Sequence, residues 1–206
     1  MSATRLLLVR HAEVEPRYQR VFGGRIDMDL SPAGRVQAAA LARYLTRQKL
    51  DAIYASPMKR VARTLEPLLV NGTPQPVVLG DLREVDFGDW TGFGWEEVEE
   101  HFQVSAFDWL NQLERGAIPN GESGPVLRAR VEPCLRRILD AHRGHTVAVY
   151  CHGGVIRSML SILLELPLSK MTHFDVDYAS VTHIKVNAGM SEVQLLNFTP
   201  WRDLAA

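Results

Sequence analysis

Two cysteines are too few for a disulfide framework, and Cys134 and Cys151 lack the spacing of a zinc site. No stretch approaches 18 apolar residues, and the first residues contain no apolar run of signal-peptide length. These absences predict a soluble, reduced, cytoplasmic protein. The chain also has no internal repeat, no low-complexity segment and no linker. A single domain over residues 1–206 is therefore expected, and a content of 46% hydrophobic residues can supply its core. Nor is there an excess of charge of one sign: the net charge is −1, which argues against an overall nucleic-acid binder or an acidic tail. The charge is unevenly spread. Residues 1–65 hold twelve Lys/Arg against five acids, a local +7. That fits a small anionic ligand better than a duplex, which would want a continuous basic face. Solvated helix-borne charges account for most of these residues.

What is present centres on Arg5-Leu6-Leu7-Leu8-Val9-Arg10-His11-Ala12-Glu13. Leu6 to Val9 read as a strand buried on both faces, as in a central parallel strand. Arg10 and His11 then fall at its C-terminal end, where open α/β sheets bind ligands. After a loop at 12–30, Ser31-Pro32 starts a helix to about residue 48, with Val36, Ala39, Ala40, Leu41, Tyr44 and Leu45 as its apolar stripe. Residues 51–55 form a second strand. Ser56-Pro57 repeats the cap-plus-proline start for a helix to about Leu69.

Gln75 to Leu79 is a third strand, and Trp95 to about Leu113 is broken helix inside a cap-like insertion around residues 93–122. A long helix runs to about 142, with a kink expected at Pro133. Residues 146–150 are a fourth strand, and Gly153 to Leu164 its helix. Ala179 to Val186 and Glu192 to Phe198, joined through Asn187-Ala188-Gly189, read as an antiparallel hairpin. The fold class is α/β: a three-layer sandwich with a mostly parallel sheet, helices on both faces and an antiparallel C-terminal hairpin strand.

Three strand ends then offer polar groups: Arg10-His11, Ser56 with Arg60 beyond it, and Cys151-His152-Gly153-Gly154. Arginine forks and helix N-termini attract phosphate. Histidine can act as a covalent nucleophile, and a carboxylic acid can protonate a leaving alkoxide. Glu84 is the first candidate for that acid, ahead of Glu13 and Asp86.

With VRHAEV, SPMKR at 56–60, LREVDFGDWTG at 82–92, NGES at 120–123 and CHGGVIR at 151–157, the chain resembles the histidine phosphatase superfamily, in the branch that includes cofactor-dependent phosphoglycerate mutases. AIPNGE at 117–122 and HFDVDYASVTHI at 173–184 are most similar to its α-ribazole phosphatase-type members. The resemblance implies hydrolysis of a small phosphorylated metabolite, with α-ribazole 5′-phosphate as a candidate, through a phosphohistidine. It implies His11 and Glu84 as catalytic residues, and Arg10, Arg60 and His152 as the phosphate clamp. Gly24, Arg17 and Gly153 are further substrate-binding candidates. No metal or organic cofactor is implied, and neither nucleic acid nor a membrane is expected as a partner. A homodimer is left open.

Three departures from the family pattern stand out: Ala12 in place of Gly, Val14 in place of Ser/Thr, and Arg17 in place of Asn. Three rival readings remain: a mutase, a phosphate-binding module without catalysis, and a Cys-dependent phosphatase built on Cys151-x5-Arg157.

Overall fold

Strand β1 (Thr4–Arg10) lies inside a six-stranded sheet of order β3 (Val77–Val78), β2 (Ala52–Ala55), β4 (Thr146–Cys151), β1, β5 (Val181–Asn187), β6 (Met190–Phe198). The structure, a computed structural model, describes residues 2–69, 72–187 and 190–204. Leu6 and Leu8 point into one core cluster and Leu7 and Val9 into the other, one on each face of the sheet. Each fully buried side chain of this kind contributes roughly 1.5–3 kcal/mol of transfer free energy.

Helix α1 (Pro32–Thr46) returns the chain to β2 (Ala52–Ala55). Ser31 caps it as expected, its hydroxyl accepting the Gly34 N–H at 2.9 Å. The expected stripe holds in part, with Ala40, Leu41 and Leu45 buried, but its N-terminal end is rotated. Val36 is 67% exposed, while Gly34, Gln37, Ala38, Leu41 and Leu45 face the core. Gly34 sets this rotation: a Cβ there would sit 2.0 Å from the Glu13 carbonyl oxygen, so only glycine lets the first turn rest on the β1 exit loop.

Helix α2 (Lys59–Leu65) is shorter than expected and starts two residues later than the Ser56-Pro57 signal suggests. Its first amide is capped from a distant loop, Lys59 N–H donating to Asp27 Oδ1 at 2.9 Å. A single 3-10 turn over Glu66–Leu68 replaces its expected last turns. Strand β3 (Val77–Val78) is a two-residue, exposed edge strand in place of the five residues expected.

Helices α3 (Trp95–Phe102) and α4 (Trp109–Arg115) bury Val98, Leu110 and Leu113 in the cluster that also holds Leu6 and Leu8. Helix α5 (Gly124–Ala141) continues through Pro133. Strand β4 (Thr146–Cys151) is buried at every residue, and α6 (Gly153–Leu164) follows it after one residue. Strands β5 (Val181–Asn187) and β6 (Met190–Phe198) pair antiparallel, and Ala188 and Gly189 of the expected turn lie outside the described residues. Among the described residues no helix is long and apolar enough to cross a membrane.

Register is what positions the site. Strand β4 inserts between β1 and β2, parallel to both. Arg10 pairs with Cys151 and Ala55 with Tyr150, so β1, β2 and β4 end level. The next residues, His11, Ser56 and His152, leave the sheet side by side.

Candidate active site

The His11 and His152 rings lie 5.2 Å apart at this edge, both at 5% exposure or less. His11 Nδ1 donates to the Ala12 carbonyl at 2.9 Å, which leaves Nε2 as the ring's lone-pair nitrogen. Arg60 Nε lies between the two rings and donates to His11 Nε2 and His152 Nδ1, each at 3.2 Å. With Nδ1 accepting, His152 carries its proton on Nε2 and donates to Ser56 Oγ at 2.8 Å. Ser56 thus orients a ring and is not the helix cap its sequence context suggests.

Burial, then the positive charge of Arg60, holds both imidazoles well below their ordinary value of 6.5. Both rings are neutral at neutral pH. This has a consequence for stability. As pH falls below 6.5 the unfolded chain takes up protons that the folded chain refuses. Stability is therefore full above that value and is lost on acidification, each ring approaching about 1.4 kcal/mol per pH unit. Urea unfolding followed from about pH 7.5 to 5 should show the midpoint falling with pH, and a flat midpoint would contradict neutral burial.

Arg60 also donates through Nη1 to the Ile26 carbonyl (2.8 Å) and through Nη2 to that of Gly24 (2.9 Å), tying the 23–28 loop to the site. Gly24 takes φ +46°, which a glycine accepts without strain. Burial lowers Arg60 to about 10, with Glu84 opposing the shift, so it remains a cation. Arg10 stacks on Tyr178 with Cζ 4.1 Å from the ring centroid, and donates through Nη1 to the Val176 carbonyl.

Arg10, His11, Arg60, Glu84 and Gly153 all line one cavity of about 300 Å³. Gly24 lines it too, while His152 sits directly behind, fully buried. Arg17 is not brought there: its exposed guanidinium pairs with Glu15 at 3.4 Å and stacks on Tyr18. Val14, the residue that departs from Ser/Thr, contributes an apolar wall. Among the aromatic side chains between Trp90 and Trp109, Trp95 and Trp109 reach the cavity, Trp90 is core at 1% exposure, and Phe107 faces solvent.

Of the three candidate acids only Glu84 reaches the cavity. Glu13 accepts the Ser31 hydroxyl at 2.6 Å, and Asp86 pairs with Arg25 at 3.2 Å. Glu84 accepts the Val85 N–H at 2.9 Å and, at 3.3 Å, the Gly154 N–H in the first turn of α6. Its loop is held by a pair that the sequence did not reveal. Arg130 donates to Glu122 at 2.6 Å and to the carbonyls of Asp81, Arg83 and Glu84. Glu122, 7% exposed, also accepts the Asp86 N–H. Arg130 sits in a helix where its charge reads as ordinary surface, and no sequence signal marks it.

Cys151 ends β4 fully buried, and burial pushes its thiol far above the ordinary range. It supplies no thiolate to the cavity.

A sequence model of the histidine phosphatase superfamily (branch 1) matches residues 6–199. The chain belongs to that superfamily, and it is a phosphatase of the phosphoric monoester hydrolase class. Phosphoserine phosphatase 1 of Hydrogenobacter thermophilus is 33% identical to it, over 95% of this chain and 92% of the relative. The adenosylcobalamin/alpha-ribazole phosphatase of Escherichia coli is 25% identical, over 94% and 95%. The solved mycobacterial glucosyl-3-phosphoglycerate phosphatase superposes with a TM-score of 0.86 at 25% identity, covering 95% of this chain and 99% of the other.

Proposed function

We propose that this chain hydrolyses a small phosphomonoester by way of a phosphoryl group carried on His11. The observation that carries the reading is the His11 ring itself. Its Nδ1 proton is committed to a backbone carbonyl, and its Nε2 lone pair stands among Arg10, Arg60 and the first turn of α6. A neutral imidazole held this way can attack phosphorus in line, because it need not first lose a proton.

Arg10 and the two Arg60 N–H groups not bound to protein then hold the equatorial oxygens. His152 keeps Arg60 aligned. The ester oxygen leaves with the electron pair of the broken P–O bond and takes a proton from Glu84. The Glu84 carboxylate next accepts a proton from water as the water oxygen attacks phosphorus on His11, releasing inorganic phosphate and restoring the imidazole.

Glycine at 154 is part of this arrangement. A Cβ there would lie 2.6 Å from both Glu84 Oε1 and Val85 Cγ2. Gly154→Ala is expected to displace the carboxylate and cost about 10²-fold in kcat, the usual scale for a misplacement of about 1 Å. The thermal midpoint should drop by only several degrees, as overpacking by one methyl predicts. Steady-state kinetics beside a melting curve checks this: an unchanged kcat would remove Glu84 from the chemistry.

Two substrates are suggested by name. α-Ribazole 5′-phosphate is favoured by the motif similarity at 117–122 and 173–184 and by the rings of Trp95 and Trp109 at the cavity wall. Phosphoserine is favoured by the higher identity to the Hydrogenobacter phosphatase. Phosphate release measured over a panel containing both tests the activity. Release from at least one supports the proposal. Phosphoryl transfer between monophosphoglycerates without net release would favour the mutase reading and overturn it.

A further inference from the structure

Arg157, one α6 turn beyond Gly153, has no role in the chemistry above, yet its guanidinium lines the same cavity. It is largely buried and, among the described residues, has no carboxylate in direct contact. Its hydrogen bonds go only to carbonyls, to Gly153 at 3.4 Å and Phe174 at 3.2 Å, and its buried Nε has no partner. Among the described residues no carboxylate lies within salt-bridge distance of it. Asp177 pairs with Arg202 at 2.9 Å, and Asp175 is exposed at the cavity rim.

A second cation stands beside it. A Cβ on Gly153 would lie 3.2 Å from Arg157 Nη1 and 3.7 Å from Arg10 Nε, so the two guanidiniums flank one bare glycine. The Trp109 ring, 6.0 Å from Arg157 Cζ, forms part of its wall. Burial, then the charge of Arg10, lowers Arg157 to about 10, with Glu84, Asp175 and Asp177 opposing the shift from beyond contact distance, and Arg157 stays charged at neutral pH. A desolvated cation without a counter-ion is costly, and two adjacent ones more so. One phosphoryl group on Arg10 and Arg60 answers only part of that demand.

We infer that Arg157 receives a carboxylate carried by the substrate's leaving group, so that the cavity selects compact phosphomonoesters of hydroxy or amino acids. The inference rests on the proposed phosphatase reading. It goes further, by naming the group that distinguishes good substrates from poor ones. Its geometry favours a short spacing between phosphate and carboxylate, because the two arginines share Gly153. A nucleoside-like ester without a second anion leaves Arg157 unanswered.

The test is a ratio. kcat/KM for O-phosphoserine is compared with that for O-phosphoethanolamine, which lacks only the carboxylate, and 3-phosphoglycerate with glycerol 3-phosphate. The wild-type protein is expected to prefer at least one carboxylated member by roughly 10–100-fold, the range of a charge-assisted contact. Arg157→Gln should bring that preference close to unity. Arg157→Lys, a point charge without the fork, should keep part of it and controls for folding. Equal rates within both wild-type pairs would overturn the inference. So would an Arg157→Gln variant that slows both members of a pair equally, since that marks a phosphoryl or structural role. Either result leaves the phosphatase reading intact if phosphate is still released. Release from α-ribazole 5′-phosphate but from none of the four esters would overturn the inference and leave the phosphatase reading intact, whereas absence of release from all five, with no phosphoryl group on His11, would defeat both.

Discussion

His11→Ala is expected to lower kcat for every phosphomonoester by about 10⁴-fold or more, the scale seen when a nucleophile is removed from a covalent mechanism. The loss should fall on kcat and leave KM nearly unchanged, because Arg10 and Arg60 would still hold the phosphate. The fold should survive. Alanine removes two side-chain hydrogen bonds, one to the Ala12 carbonyl and one from Arg60 Nε, and leaves β1 and its register untouched. Cys151→Ala is the matched control. That thiol is fully buried in β4, so its removal should change turnover by no more than a few-fold. Stopped-time phosphate assays on the two variants, beside circular dichroism, check both halves. Activity retained in His11→Ala would place the chemistry elsewhere.

Glu84→Gln should produce the second large effect, and one that depends on the ester. An alkyl leaving group needs a proton as it departs, so its release should slow by about 10²–10⁴-fold. p-Nitrophenolate leaves without one. With p-nitrophenyl phosphate the variant should therefore give a burst of nitrophenol equal to one per active site, followed by slow turnover as the phosphorylated protein waits for water. Quenched-flow kinetics with both esters separates the steps. Equal slowing of the burst for both would mean that Glu84 serves binding and not proton transfer.

Much of this was readable from the chain. Four apolar residues running into Arg10-His11 marked a central strand, because burial on both faces leaves no polar alternation. The strand-end residues His11, Ser56 and His152, with Arg60 just inside the helix after β2, followed from the rule that parallel strands present their C-terminal ends together. Local signals failed where a distant partner decided. Val36 looked like core, but Gly34 packing on Glu13 turned α1 away from it. Ser56-Pro57 looked like a helix start, but Asp27 caps α2 two residues later and Ser56 bonds His152 instead. Arg17 looked like a phosphate contact and stays outside, held by Glu15. Glu122 stood inside the NGES motif, but its pairing with Arg130 went unread because nothing in a helical Arg or a turn Glu announces that both fold onto the carbonyls and amides of one loop. Sequence spacing shows which residues share a strand end. It does not show which side chains finish one another's hydrogen bonds.

The most direct test is to mix the protein with excess phosphomonoester, quench at alkaline pH where phosphohistidine survives, and locate the phosphoryl group by peptide mass. One phosphoryl group on His11 is expected, bonded through Nε2, more abundant in Glu84→Gln and absent in His11→Ala. Phosphate release with no protein-bound phosphoryl group, or a group carried on any other residue, would contradict the account.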